Sequence, residues 1–240
     1  MRTLFVILAI MVSSASCIFL DGERVTGNGN ITVEDRVGLN AHRIKLAGFM
    51  DVELRQGTGT EVKVEADDNL QEYIITEMDE GVLVIKTRNN IRMINSERIK
   101  IYITTDRLEL LTLSGSGNII GMDKFTGSDR LKLRVSGVGD LKLDLNTPEL
   151  EAEISGSGSL ALSGETRDAR ITINGVGNCN ADNLKAENAT VKISGSGDVK
   201  IFADSKLDIT IRGVGSVYYK GAASVSQTIS GSGEVKRLEE

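Results

Sequence analysis

The fold of this chain is decided by the stretch LKLRVSGVGDLKLDL, which occupies residues 131–145. On both sides of its centre, aliphatic side chains alternate with charged or polar ones. Because successive side chains of a strand point to opposite faces, this alternation indicates one buried face and one solvated face. At the centre lies the corner Gly137-Val138-Gly139. The stretch therefore predicts two half-buried strands that are joined at a glycine corner.

The same corner recurs along the chain, and its middle residue alternates strictly between Ser and Val. Successive corners begin 22, 19, 19, 20, 18 and 18 residues apart. The corner glycines are Gly115, Gly117, Gly137, Gly139, Gly156, Gly158, Gly175, Gly177, Gly195, Gly197, Gly213, Gly215, Gly231 and Gly233. A fixed period of this length is typical of repeat architectures, in which each unit buries its apolar face against its neighbours. We therefore predict an all-β fold, a single-stranded parallel β-helix or solenoid with about 20 residues per coil.

Two features of the corners have more than one explanation. Both glycines lie on the inward parity of the strands, either because a side chain would collide there or because φ must be positive. The alternation of Ser and Val reflects either small side chains packed against large ones or a repeat unit of two coils. No helical pattern follows any corner, so a phosphate-binding loop is not predicted. Residues 146–148 and 164–167 are expected to be looser return segments.

The first 17 residues predict a targeting segment that is not part of the fold. Arg2 precedes an apolar run from Leu4 to Val12, which is too short to cross a bilayer. The segment ends in Ala15-Ser16-Cys17, which is typical of a bacterial lipoprotein signal, so Cys17 is the predicted site of lipid attachment. Ser14 stands where such signals usually carry Leu. Ordinary signal cleavage and an unprocessed N-terminus are therefore alternatives.

The rest of the chain is expected to form one domain after a short linker. Residues 21–30 are polar and rich in glycine, so residues 18–30 are predicted to be a tether. Residues 31–105 contain strand-like runs at irregular spacing. We interpret them as irregular N-terminal coils and a cap, because the terminal unit of a solenoid has a face without a neighbour. Residues 106–240 are the regular coils of the same domain.

Composition and charge disfavour nucleic acid as a partner. The chain has 26 Gly, one Pro and no Trp among 240 residues, which suits a stack of thin coils. Its formal net charge is −6, and an acidic surface repels polyphosphate. Membrane contact is expected through the lipid anchor only, and no cofactor is indicated.

The chain offers few side chains for catalysis. His42 is the only histidine, so a Ser-His-Asp triad, a Cys-His pair or a multi-histidine metal site cannot be assembled. Its position beside Arg43, ahead of the first clear strand, predicts a solvated surface histidine. We predict no catalytic residue and no metal site.

Cys179 is the one cysteine that follows residue 17. An intrachain disulfide is therefore excluded in a mature chain whose Cys17 is acylated or removed. Cys179 falls in the inward slot that Leu160 and Val199 hold in neighbouring repeats. This position predicts a buried structural thiol.

A polar residue follows each corner, and these residues are the best candidates for a site. They are Asn118, Asp140, Ser159, Asn178, Asp198, Ser216 and Glu234. We expect them to point outward along one edge, where they either bind Ca²⁺ or hydrogen-bond the corner backbone of adjacent coils. Asp140 and Asp198 are three coils, or about 14 Å, apart. That distance is too long for one shared ion and favours the hydrogen-bonded ladder.

The order of the segments resembles a known family. They are Gly48 to Gly57, Val62 to Leu70, Gly81 to Ile85, Lys100 to Ile103 and Leu110 to Gly117, followed by the repeated corners. Over about residues 35–235 this order is similar to the putative autotransporter-adhesin head GIN domain family. The resemblance implies a right-handed parallel β-helix on secreted or surface-attached bacterial proteins, often lipoproteins. It implies an adhesive role and brings no catalytic motif.

Three functions are compatible with these features. The first is a non-catalytic cell-envelope or surface module for adhesion or scaffolding, with a surface glycan or an envelope protein as its partner. The second is a polysaccharide-processing enzyme that uses outward carboxylates such as Asp144, Glu153, Asp182 and Asp208, although the sequence makes no two of them a pair. The third is a structural component of an envelope complex. The first is favoured, either in an outer-membrane or cell-surface lipoprotein or, if Cys17 is not acylated, in a periplasmic or secreted protein.

Overall fold

The computed structural model of this chain describes residues 22–95 and 97–239. The expected signal segment at residues 1–17, with Cys17, lies outside the described residues. The same is true of residues 18–21 at the start of the expected tether.

Nineteen strands and one short 3-10 helix at Asp68–Tyr73 make up the described part of the chain. The strands are β1 (Glu23–Thr26), β2 (Ile31–Asp35), β3 (Arg43–Ala47), β4 (Asp51–Gln56), β5 (Glu61–Asp67), β6 (Ile74–Asp79), β7 (Val82–Thr87), β8 (Ile91–Ile94), β9 (Lys100–Thr105), β10 (Leu110–Leu113), β11 (Ile119–Phe125), β12 (Arg130–Val135), β13 (Leu141–Ile154), β14 (Leu160–Ile173), β15 (Cys179–Ile193), β16 (Val199–Ile211), β17 (Val217–Lys220), β18 (Ser224–Ile229) and β19 (Val235–Arg237). β1 pairs with β8, and all the others are connected in one sheet.

The long strands β13 to β16 show how the chain winds into coils. β13 pairs with β14 in parallel along its whole length, with Leu141 opposite Leu160 and Ile154 opposite Ile173. Its first half also pairs with β11 and its second half with β12. Each long strand therefore runs along one side of the stack, bends, and continues along the other side within the same coil. This arrangement confirms the predicted parallel solenoid with coils of about 20 residues.

The return segments are not loose, and the prediction for them is wrong. Residues 146–148 and 164–167 lie inside β13 and β14, where Thr147 is opposite Thr166. Both Thr side chains are buried. The Thr147 hydroxyl donates to the Ser128 carbonyl oxygen over 2.8 Å, and the Thr166 hydroxyl to the Pro148 oxygen over 3.3 Å. The sequence did not show that these polar segments are buried strand, because hydroxyl-to-carbonyl hydrogen bonds replace apolar contacts there.

Repeats of unequal length stay aligned because irregularities absorb the extra residues. The 22-residue interval after the first corner produces a register shift between Ile120 and Lys124, where β11 pairs with β13. A second shift lies between Ala161 and Ser163, where β14 pairs with β15. Bulges of this kind keep the inward side chains on the core side, since a slip of one residue would turn every side chain over.

Columns of apolar side chains form the core. One column contains Leu46, Leu113, Val135, Ile154, Ile173, Ile193, Ile211 and Ile229. The other side of the stack contributes Ile101, Val52, Ile119, Leu141, Leu160, Cys179, Val199, Val217 and Val235. Burial is complete in the middle of the stack, and at its C-terminal end Ile229 is 40% exposed.

At the N-terminal end, the order of the coils in space differs from their order in the chain. β3 and β4 pair in parallel with β10 and β11 on one side and with β7 and β9 on the other. The coil of β7 and β9 is therefore the outer one, although it comes later in the chain. Antiparallel strands extend this end, with β5 beside β9, β2 beside β5 and β6 beside β7.

Residues 22–30 belong to the folded body, so the expected tether is wrong for this part of the chain. β1 pairs in parallel with β8. The side-chain amides of Asn28 and Asn30 donate to the Asp68 carboxylate over 2.5 and 2.8 Å. The hydrogen bond from Asn30 is the main cause that lowers the pKa of Asp68, and the bond from Asn28 lowers it further. The polar side chains of this segment bind the body of the protein, and composition alone does not distinguish that role from solvation.

No helix within residues 22–95 and 97–239 is long and apolar enough to cross a membrane.

Candidate functional site

The corner glycines are required because a main-chain oxygen of a neighbouring coil occupies the position of a Cβ atom. A Cβ on Gly175 would lie 2.0 Å from the Gly156 oxygen, and the corresponding distance at every corner glycine is 1.7 to 2.1 Å. The Val176 N–H donates to the same Gly156 oxygen over 2.9 Å. No corner glycine has a positive φ. Of the two explanations for these glycines, collision is therefore the correct one.

The middle residues of the corners form an exposed row. Ser196 lies opposite Val214, and Val214 opposite Ser232. The side chains of Val138, Val176 and Val214 are 60 to 68% exposed. Such exposure leaves little packing of small against large side chains at the corners.

The polar residues after the corners form a hydrogen-bonded ladder. The Asn118 side-chain oxygen accepts from the Asp140 N–H over 3.1 Å, and the Asp140 carboxylate accepts from the Ser159 N–H over 3.2 Å. A second run goes from Asn178 to the Asp198 N–H over 2.9 Å and from Asp198 to the Ser216 N–H over 2.8 Å. In each of these bonds, a side chain of the previous coil supplies the acceptor for a main-chain amide after the next corner. Within the described residues, no such bond joins Ser159 to Asn178. Glu234 follows the last corner on the exposed surface.

The ladder begins one coil earlier than the sequence indicated. Asp51 Oδ1 accepts from both the backbone and the side-chain amide of Asn118, over 3.0 and 3.1 Å. Sequence reasoning missed Asp51 because its corner is Gly48-Phe49-Met50 and lacks the second glycine. The spacing from Gly48 to Asp51 equals that from Gly115 to Asn118, and this equality is the signal that could have found it. Within the described ranges, no three His, Cys, Asp or Glu side chains are grouped so that they could hold a metal ion.

The ladder leads to a stability prediction at Asp198. Asp198→Ala is expected to lower the free energy of unfolding by about 1 kcal/mol, because the Ser216 amide loses its acceptor. Asp198→Asn keeps an oxygen at that position and is expected to stay within about 0.5 kcal/mol of the wild type. Urea unfolding gives the energies, and hydrogen exchange at the Ser216 amide reports the bond directly. Equal stability of the two variants would contradict a structural role for the ladder.

The carboxylates that an enzyme would need lie beside cations. The ion pairs are Asp144 with Lys124 at 3.9 Å, Glu153 with Arg134 at 3.6 Å, Asp182 with Lys220 at 3.0 Å and Asp208 with Lys206 at 2.7 Å. Glycoside hydrolysis needs two carboxyl groups that face one bond, one of them protonated. The four candidates have the surroundings of a neutralised outer face instead.

Two neighbouring strands carry complementary charges on that face. Arg130, Lys132 and Arg134 of β12 lie opposite Glu149, Glu151 and Glu153 of β13. Lys132 Nζ is 2.6 Å from Glu151, and this hydrogen bond is the main cause that lowers the pKa of Glu151. A carboxyl group with a lowered pKa stays ionised at neutral pH and is a poor general acid.

Cys179 occupies the inward slot that the sequence assigned to it. It lies between Leu160 and Val199 in the register of the strands and is fully buried. Burial raises the pKa of its thiol to about 12. The group is therefore a neutral thiol at physiological pH and belongs to the core.

His42 is less solvated than predicted. Its side chain is only 19% exposed, and its Nε2 lies 2.7 Å from Asp106 Oδ1. The hydrogen bond to His42 is the main cause that lowers the pKa of Asp106. The partner is 64 residues away in sequence, so no local pattern revealed the pair.

Comparisons with known proteins agree with this geometry. The family model described as "Putative auto-transporter adhesin, head GIN domain" matches residues 40–223. No curated protein matches the chain. A crystal structure of a putative adhesin from Bacteroides fragilis is 25% identical, with a TM-score of 0.85 over 89% of this chain and 100% of that one.

Two further crystal structures are similar. A putative lipid binding protein from Parabacteroides distasonis is 25% identical, with a TM-score of 0.75 over 90% of this chain and 100% of that chain. A putative adhesin from Parabacteroides merdae is 23% identical, with a TM-score of 0.69 over 91% of this chain and 100% of that chain. The resemblance found in the sequence is thereby confirmed, and this chain belongs to the family described as putative auto-transporter adhesin, head GIN domain.

Proposed function

We propose that this chain is a non-catalytic, adhesin-like module of the bacterial cell surface, which binds a surface glycan or an envelope protein along its outer faces. The observation that carries the proposal is the stack of parallel coils. This stack is a rigid support that holds two rows of outward side chains at fixed spacing. Binding surfaces of other solenoid proteins have this form. The family to which the chain belongs is described in the same terms.

The charges of the outer faces support binding over catalysis. The outward carboxylates Asp144, Glu153, Asp182 and Asp208 lie against lysine or arginine. Cys179 is a buried neutral thiol, and His42 is held by Asp106. These side chains are engaged in maintaining the stack and its surface.

We further propose that the module is exported and attached to the outer membrane or cell surface through a lipid on Cys17. Its support is the lipoprotein-like end of the N-terminal segment, Ala15-Ser16-Cys17. An anchor at this end would leave the coils from β10 to β19 free to extend away from the membrane.

The experiment compares host cells that carry the wild-type chain, a deletion, and Cys17→Ala. We expect metabolic labelling with a fatty-acid analogue to mark the wild type and to be lost in Cys17→Ala. Adhesion of whole cells to an array of glycans and envelope proteins should fall in both the deletion and Cys17→Ala strains. Unchanged adhesion of the deletion strain would contradict the proposed function. Release of new reducing ends from any glycan by the purified protein would replace it with an enzymatic one.

A further inference from the structure

The basic strand β12 is neutralised on one side only. Its cations face the glutamates of β13, as in the pair Lys132–Glu151. On its other side lies β10, whose outward residues are Leu110, opposite Lys132, and Thr112, opposite Arg134. The charge alternation between strands therefore stops at β10, which carries no charge at these two positions.

Beyond β10, the next strand is basic again. Arg43 of β3 lies opposite Leu110, and Lys45 opposite Thr112. Both cations are exposed and form no ion pair with any residue that the structure describes. Two basic strands thus flank an uncharged one, and about 10 Å separates their side-chain rows, since each strand adds about 4.8 Å.

Side chains of β3, β10 and β12, together with neighbouring residues, line a groove with a volume of about 860 Å³. Its cations are Arg43, Arg107, Arg130, Lys132 and Arg134, and Leu110 also lines it. Lys45 lies beside the groove, two residues along β3 from Arg43. A cluster of cations at the surface of a chain with net charge −6 creates a local positive field.

Carboxylates inside and beside the groove pair with most of its cations. Glu109 lies 3.1 Å from Arg107 and Glu151 lies 2.6 Å from Lys132, while Asp129 is exposed at the edge. Just outside the lining, Glu149 lies 3.7 Å from Arg130, Glu153 lies 3.6 Å from Arg134 and Asp106 lies 3.9 Å from Arg107. Arg43 is therefore the lining cation that has no ion pair in the described part of the chain. Arg43, which has no ion pair, stands on the wall opposite the basic strand.

We propose that this groove is a binding site for an anionic polysaccharide, with carboxylate or sulfate groups on the two basic walls and the C–H face of a sugar ring over Leu110. Arginine and lysine bind such groups through charge-assisted hydrogen bonds, and Leu110 offers apolar contact. The net charge of −6 repels a long anionic glycan as it repels nucleic acid, so the choice of a glycan follows from the proposed surface function. The inference deepens the proposed function and rests on it.

The test measures binding of the full chain to polygalacturonate, dextran sulfate, neutral dextran and double-stranded DNA at low and physiological salt. We expect the wild type to bind one or both anionic glycans, more weakly as salt rises, and not to bind dextran. Arg43→Ala/Lys45→Ala is expected to weaken this binding by about tenfold, since both unpaired cations are lost.

A matched control exists on the same face of the solenoid. Arg170 lies in the same row as Lys132, and Lys192 in the same row as Arg134; both are exposed and form no ion pair within the described part of the chain. Arg170→Ala/Lys192→Ala removes the same charge outside the groove and is expected to change affinity by less than about twofold.

A second variant keeps the proposal testable if the first fails to fold. Thr112→Glu inserts a carboxylate between Lys45 and Arg134, where it is well placed for pairing, and it is expected to abolish glycan binding. Thr190→Glu, between Arg170 and Asp208, is its control and should bind like the wild type.

The possible results separate this proposal from the proposed function. Equal losses in the groove and control variants would overturn the groove as the site. If the purified protein binds no anionic glycan while host cells still lose adhesion on deletion, the groove is wrong and the surface role stands. If the purified protein binds no anionic glycan and deletion leaves adhesion unchanged, both the groove and the proposed function are wrong. Tighter binding of DNA than of either glycan would overturn the choice of ligand.

Discussion

Replacing Gly175 with alanine is expected to lower the free energy of unfolding by about 4 kcal/mol, the combined effect of forcing two backbones apart and losing a main-chain hydrogen bond. The new Cβ would lie 2.0 Å from the Gly156 oxygen and 2.7 Å from the Ser155 carbonyl carbon. Since main-chain atoms cannot rotate away, the two coils must separate at this corner. The hydrogen bond from the Val176 N–H to the Gly156 oxygen is then lost as well.

The adjacent residue provides the control for this prediction. Val176→Ser turns this corner into the Ser type that its neighbours already have, and the side chain is exposed. It is expected to change stability by no more than about 0.5 kcal/mol. Urea unfolding followed by circular dichroism measures both variants. A loss below about 1 kcal/mol for Gly175→Ala would contradict the prediction. It would mean that adjacent coils can separate at the corner at little cost in free energy.

The second large effect is expected from a polar residue in the core column. Ile193→Asn should destabilise the chain by about 4 kcal/mol, because a branched apolar side chain is lost and an amide is buried without a partner. Ile193 is 1% exposed and pairs with Ile173 and Ile211 on its two sides. In a solenoid, a defect in the middle weakens the contacts of both adjacent coils.

Ile229 is the matched control because it belongs to the same column in the last coil. It is 40% exposed and pairs only with Ile211 within the described chain. Ile229→Asn is therefore expected to cost less than about 1 kcal/mol. Similar losses for the two variants would show that the last coil is as tightly packed as the middle, against its exposure in the structure.

The regular part of the fold could be predicted because its information is local. Each repeat contains an alternating pattern and a corner, and its partner is another copy of the same pattern about 20 residues away. The parallel stack and the inward position of Cys179 follow from that register. A two-residue period decides which face is buried even when the neighbouring strand is unknown.

The features that escaped prediction depend on distant partners or on hidden polar bonds. Asn28 bonds to Asp68, His42 to Asp106 and Asp51 to Asn118 over 40, 64 and 67 residues. No periodic signal connects such positions. The bends at Thr147 and Thr166 escaped for another reason, since a buried Thr whose hydroxyl bonds a carbonyl reads as a surface residue in the sequence.

The reversed order of the N-terminal coils has a consequence for how the molecule is made. Ser114 reaches its acceptor in β3 across 68 residues, whereas Thr147 reaches Ser128 across 19. We expect closure of the longer loops to be the slow step of folding. The entropy cost of closing a loop must be met before contacts that are distant in sequence can stabilise the chain. We therefore expect the segment up to β11 to act as a template, to which the later coils add quickly in the order of the chain. Duplicating or deleting coils after β11 is therefore expected to change the length of the solenoid without changing the slow step of its folding.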